Sequence, residues 1–263
     1  MTTEHTYDSE LEFAKKLGSK AYDIAQKYYK KDPETEIKSD NSPVTIADEE
    51  INQCVIDQVK KEFPDHGVLG EEQSFGLDRD YLWVCDPIDG TVPFMMGSAC
   101  FMFSLALVHK GDVVIAVAVN LSDNAVYRAS LGGGSYYNNK KIQVSRRDFS
   151  KSRLFFPSSI RNILENAPLY KKLANSVAHA QPVGGGIFKG AVISEGLADG
   201  SIWLRSVHPW DVASVALLIT EAGGTVTDRH GNIDLDYSKE LDGIIMSNNI
   251  IHEDLLTIVR EST

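Results

Sequence analysis

The sequence predicts a layered fold of mixed α/β type, and three observations carry that expectation. Apolar periodicity switches repeatedly between the helical and the strand period along 263 residues. The resulting helices and strands follow one another in an order too mixed for a simple doubly wound sheet, which favours two αβ layers. Hydrophobic content of 43% against 24% charged residues is that of a globular chain. The length suits one domain over 1–263, with an N-terminal α+β half over about 1–145 and a C-terminal α/β half over about 146–263.

From the N-terminus, Leu11, Ala14, Leu17, Ala21, Ile24 and Ala25 form one stripe, which predicts a helix over 9–30. Lys31 to Pro43 is polar and reads as extended. Ile51, Val55, Ile56 and Val59 share a face of a second helix from Ile46 to Phe63, ended by Pro64-Asp65-His66-Gly67. Val68-Leu69 is a short strand leading into Gly70-Glu71-Glu72. Tyr81 to Cys85 is a buried strand that Pro87, with no N–H for a sheet ladder, is expected to end. Phe101 to His109 and Val113 to Leu121, joined by Lys110-Gly111-Asp112, read as a hairpin. Ala125 to Ser130 is a further strand. Gly132-Gly133-Gly134 reads as a loop rather than a phosphate cradle, because no lysine-and-hydroxyl pattern follows. The second half offers a strand at Arg153 to Phe156 and a helix within Asn162 to His179. An amphipathic stretch, Ile187 to Leu197, then follows Gly184-Gly185-Gly186, and Ser201 to Leu204 is a short strand. Trp210 to Ala222 is a helix with Asp211 at its start and Gly223-Gly224 at its end. Ile244 to Met246 and His252 to Val259 complete the chain as a strand and a helix.

A net charge of −11 disfavours nucleic acid and anionic membranes as partners, and an anionic substrate would need local cations to accept it. Cys54, Cys85 and Cys100 have no Cys-x-x-Cys spacing, which opposes a disulfide framework or a zinc site. The N-terminus is polar and acidic, unlike a secretory signal, and no apolar stretch is long enough to span a bilayer. A reducing, cytoplasmic setting is the expectation.

One stretch draws the chemistry together: Trp83-Val84-Cys85-Asp86-Pro87-Ile88-Asp89-Gly90-Thr91. Two carboxylates, a carbonyl and a hydroxyl at a strand end form a hard oxygen cluster of the kind Mg²⁺ prefers. Alone, Asp-Pro and Asp-Gly are equally well turn chemistry. Asp211 alone is equally well a helix cap, and Asp48 a surface acid.

Read in order, Val44-Thr45-x-Ala47-Asp48, Gly70-Glu71-Glu72, Asp86-Pro87-Ile88-Asp89-Gly90-Thr91, and Trp210-Asp211 leading to Glu221-Ala222-Gly223-Gly224 resemble the inositol monophosphatase family of Mg²⁺-dependent phosphatases. The resemblance implies an αβαβα sandwich, frequently a homodimer, acting on a small phosphorylated metabolite. It also implies that Glu71, Asp86, the Ile88 carbonyl, Asp89 and Asp211 hold two or three Mg²⁺ ions, with Glu72 orienting these ligands. By the same resemblance Glu71 and Thr91 position or deprotonate the attacking water, and Asp48 hydrogen-bonds the Thr91 hydroxyl. Gly90 and Thr91 would offer backbone N–H groups to the phosphate, beside Asp89, Asp211 and Gly186. Lys38, in Lys38-Ser39-x-x-Ser42-Pro43-Val44, matches a lysine near the metal site.

Two departures bear on the substrate. Val92-Pro93-Phe94 follows Thr91 where the inositol-specific branch has a Thr-Asn-Phe type sequence. Trp203-Leu204-Arg205 stands where that branch has a glutamate for an inositol hydroxyl. Arg205 would instead prefer a second anionic group, with Lys189 as a further contact. Inositol 1-phosphate is the first expectation, with histidinol phosphate, sugar bisphosphates and adenosine bisphosphate as alternatives. A catalytically silent module that senses metal or phosphorylated metabolites is the reading of a different class.

Overall fold

The computed structural model describes residues 7–31, 35–37 and 43–262. Its first two helices, α1 (Asp8–Tyr28) and α2 (Ile46–Glu62), are separated by a two-stranded antiparallel ribbon of β1 (Thr35–Ile37) and β2 (Pro43–Thr45). Each helix buries the stripe that the heptad-like spacing marks: Ala14, Leu17, Ala21 and Ala25 on α1, and Ile51, Val55, Ile56 and Val59 on α2. Both stripes lie on one face of a seven-stranded sheet. Its strands are β3 (Gly67–Gly70), β4 (Tyr81–Asp89), β5 (Met102–His109), β6 (Asp112–Asn120), β7 (Val126–Ser130), β8 (Gly134–Tyr137) and β9 (Lys140–Lys141), adjacent in chain order, with the short helix α3 (Thr91–Met95) between β4 and β5. Only β3 and β4 run parallel; the other pairs are antiparallel.

The second half supplies β10 (Arg153–Pro157), α4 (Ile160–Glu165), α5 (Ala167–Ser176), β11 (His179–Val183), α6 (Gly186–Ser194), β12 (Gly200–Trp203), α7 (Pro209–Glu221), β13 (Thr225–Thr227), β14 (Ile244–Ser247) and α8 (His252–Ser262). These strands form a five-stranded sheet in the order β11-β10-β12-β14-β13. The side-chain alternation of β4 explains how the layers join. Trp83 and Cys85 pack with α1 and α2, while Val84 packs on the other face with Ile187 and Ala191 of α6 and Val212 and Val215 of α7. That same apolar cluster continues to Ile244 and Met246 of the smaller sheet. On the far side of the smaller sheet, Leu169 and Leu173 of α5 meet Leu255, Leu256 and Val259 of α8. The result is the αβαβα sandwich expected, with α6 and α7 as its middle layer.

Several local expectations are corrected. The strand before Pro87 does not stop there. It runs on to Asp89, because a bulge takes up Pro87 and Ile88: Asp86 pairs with Ser104 and Asp89 with Met102, three residues against two. The single helix expected within Asn162 to His179 is divided into α4 and α5, with Pro168 in the first turn of α5, where its missing N–H is harmless. His179–Val183 forms an edge strand, which tolerates its Pro182. The strand Thr225–Thr227 also escapes the sequence pattern, being short and flanked by Gly224. Among the described residues, no helix is long and apolar enough to cross a membrane.

Candidate active site

The bulge in β4 aims the chemistry. In a regular strand, residues three apart point to opposite faces. With one extra residue inserted, Asp86 and Asp89 share the face of Ser104 and Met102, the face that looks at the middle helices. The Ser104 hydroxyl meets that of Ser214 at 2.6 Å, which pins α7 to the sheet one turn after Asp211. Gly90 then turns the chain out of the strand with φ 91, and a Cβ there would lie 2.8 Å from the Cys100 carbonyl oxygen. Thr91 begins α3, and its hydroxyl donates to the Ile88 carbonyl at 3.3 Å.

Two helix N-termini face this strand end. Asp89 caps α6 from across the molecule: Oδ1 accepts the Gly186 N–H at 2.9 Å, and Oδ2 accepts those of Ile187 at 2.7 Å and Phe188 at 3.3 Å. Asp211 sits in the first turn of α7 and accepts the His208 N–H at 3.2 Å. Oxygens of Asp86, Asp89 and Asp211 all lie within 4.8 Å of one another. Among the described residues, Asp86 Oδ1 is buried with no hydrogen-bond donor.

Like charges so close and so dry cannot all ionise at their ordinary pKa. Burial pushes the Asp86 carboxyl well above the usual range, with Glu71 and Asp89 adding repulsion. Burial raises Asp89 also, against the pull of the α6 amides and Lys189. Asp211 is pushed up to about 8 by burial, then by Asp89 and Glu71. A divalent cation removes this frustration, and three hard oxygen donors with an unsatisfied lone pair fit Mg²⁺.

The remaining expected residues divide by position. Glu71 follows β3, where its N–H donates to the Cys85 carbonyl at 3.1 Å, close enough for its charge to act on Asp86 and Asp211 but outside the three-carboxylate group. The Glu72 N–H faces Asn52 Oδ1 at 3.4 Å. Asp48 is buried at the start of α2, and burial raises its carboxyl to about 7. The hydrogen bond expected from Thr91 to Asp48 is not formed. Asp48 Oδ2 instead accepts the backbone N–H and the hydroxyl of Thr45, at 2.8 and 2.5 Å, because it closes the first turn of its own helix. Gly186 gives its N–H to Asp89, and a Cβ there would come within 2.2 Å of the Trp203 ring.

Lys189 is 1% exposed, with its ammonium 4.5 Å from the Trp203 ring centroid. Burial lowers its pKa to about 8, against the opposing pull of Asp89 and Asp211. Arg205 is exposed and ion-paired with Glu165 of α4. Lys38 lies outside the described residues. What sequence reasoning missed is the amide cradle of Ile187 and Phe188 for Asp89. Its only advance signal was the run Gly184-Gly185-Gly186 ahead of a helical pattern.

The inositol monophosphatase family model matches residues 6–263. A Thermotoga maritima protein named fructose-1,6-bisphosphatase/inositol-1-monophosphatase is 30% identical over 83% of this chain and 82% of its own. A Pseudomonas aeruginosa protein named Nus factor SuhB is 31% identical over 82% of each. Among solved structures, an IMPase from Thermotoga maritima superposes with a TM-score of 0.88 at 28% identity, covering 97% of this chain and 98% of that one.

Proposed function

The chain belongs to the inositol monophosphatase family, and from that premise we propose that it is a Mg²⁺-dependent phosphomonoesterase acting on a small phosphorylated metabolite, first of all inositol 1-phosphate. The observation that carries the reading is the group of Asp86, Asp89 and Asp211 with the unpartnered Asp86 Oδ1. In this proposal those three carboxylates, the Ile88 carbonyl and Glu71 hold the metal ions, with Glu72 behind them. When bound, Mg²⁺ supplies charge neutralisation of the phosphoryl oxygens and a more acidic water. The chain's own part is orientation. Thr91, fixed on the Ile88 carbonyl, orients the attacking water with its hydroxyl oxygen, the Glu71 carboxylate takes the water's proton, and Asp48 holds the first turn of α2. The N-termini of α6 and α7 favour anionic charge at this end of the molecule. Water attacks phosphorus directly, so no residue is phosphorylated.

The sequence departures bear on the leaving group. Leu204, buried in the core with α5 and α8, offers no acceptor to an inositol hydroxyl, and the exposed Arg205 beside it suits a second anionic group once freed from Glu165. Sugar bisphosphates are therefore retained as the second reading, a class included in the printed name of the Thermotoga relative. A homodimer in the cytoplasm belongs to the same proposal. Phosphate release measured with and without Mg²⁺, over inositol 1-phosphate, histidinol phosphate, fructose bisphosphate and adenosine bisphosphate, tests it. Release that depends on Mg²⁺ is expected. Metal binding with no release from any phosphomonoester would favour the silent sensing module.

A further inference from the structure

Lys189 stands out against its own helix. Its neighbours Ile187, Phe188, Ala191, Val192 and Ile193 are apolar, and nothing in the packing of α6 between two sheets calls for a charge there. An ammonium so deeply buried is costly unless something compensates it. Among the described residues it makes no ion pair within 4.0 Å. Its compensation is the indole face of Trp203 and the field of Asp89 and Asp211. The platform is built to fit: the Trp203 ring occupies the space where Gly186 would carry a Cβ, and Gly190 leaves room for Val215 of α7 to approach. Thus one turn of α6 holds Asp89 through its amides and carries a positive charge whose field reaches it.

We infer that Lys189 is a resident internal cation of the carboxylate group, holding Asp89 and Asp211 together in the metal-free protein and weakening their grip on divalent ions. The inference rests on the proposed metal site. Electrostatics fixes both signs. A positive charge near unpaired carboxylates stabilises them, and the same charge repels an incoming Mg²⁺ across a poorly screened interior. Weak, reversible metal occupancy follows from this arrangement. Lys189 is a positioning residue: it acts through the charges of Asp89 and Asp211.

The test is calorimetric titration of the full chain with Mg²⁺, together with thermal unfolding in chelator and in saturating Mg²⁺. Lys189→Met is expected to bind Mg²⁺ on the order of tenfold more tightly. It should also melt earlier than the unchanged protein in chelator and gain more from Mg²⁺. Lys189→Arg, which keeps the charge and can stack on Trp203, is expected to restore the original affinity. If Lys189→Met does not yield folded protein, Lys189→Gln carries the same measurement. A merely structural role would lower the melting temperature equally with and without metal and would not tighten binding. Unchanged or weaker Mg²⁺ affinity in the folded neutral variant overturns the inference. Failure of the unchanged protein to bind Mg²⁺ at all would instead remove the metal site itself.

Discussion

Two buried aspartates of this molecule have opposite surroundings. Asp199, the residue before β12, is fully buried and has many partners. Arg147 Nε reaches both its oxygens, at 3.0 and 2.8 Å, the Arg153 N–H donates at 2.6 Å, and the Ser145 hydroxyl also bonds it. Its own N–H and carbonyl pair with Arg153 and Asn248, so the residue ties β10, β12 and the segment after β14 into one knot. Asp86, 1% exposed, lies among other acids, and among the described residues one of its oxygens has no hydrogen-bond partner. Burial alone therefore does not mark a functional carboxylate here. Hydrogen bonding separates these two: the paired acid organises the fold, and the frustrated one leaves an oxygen open to a cation.

The largest effect expected from this contrast is on turnover. Asp86→Asn should lower Mg²⁺-dependent phosphate release by about a thousandfold or more, roughly 4 kcal/mol of transition-state stabilisation. Melting in chelator should be unchanged or raised, because a repelled charge has been removed. Asp86 is a cleaner site for this than Asp89, where an amide would set a donor against the N–H groups of α6. Retained turnover in Asp86→Asn would break the assignment. At the paired acid the expectation reverses. Asp199→Ala strands the partly buried Arg147 and should cost about 3–5 kcal/mol in urea unfolding. Mg²⁺ affinity of the remaining folded protein should hold.

A third measurement follows from the raised carboxyls. Asp48 at about 7 and Asp211 at about 8 bind protons in the folded state that they release near 3.8 when unfolded. Between those limits the folded protein holds more protons than the unfolded chain, so rising pH destabilises it. Metal-free protein should accordingly lose melting temperature progressively from about pH 4 to about pH 8, and saturating Mg²⁺ should flatten the slope. A metal-free profile that rises over this range would refute the frustrated-cluster reading. The smallest effect belongs to Arg205→Ala. Both partners of its ion pair are about half exposed, and stability should move by no more than about 0.5 kcal/mol. Any loss of preference for a bisphosphate over inositol 1-phosphate would assign Arg205 to the substrate.

The apolar stripes of α1, α2 and α7 and the β5–β6 hairpin were legible in advance because their periodicity is long and local. Thr225–Thr227 and His179–Val183 were not, since short polar strands are recruited by neighbours already in place. The four acidic blocks were legible as an ordered pattern. The bulge at Pro87 was not, because proline suggests an ending, and only the β5 partner strand reveals a continuation. Asp48 illustrates the same limit: its acid type and position were readable, but its preference for Thr45 over Thr91 depends on how α2 begins.

By itself, then, the chain determined its layered class, its family and the identity of the acids that could hold a metal, because residue type and periodicity are properties of local sequence. Tertiary structure alone decided that Asp86 and Asp89 look the same way, that Asp89 caps α6 from nearly a hundred residues along the chain, and that Lys189 packs on Trp203. Those are through-space relations between distant segments, fixed by the packing of the middle helices against the sheet, and no spacing along the chain encodes them.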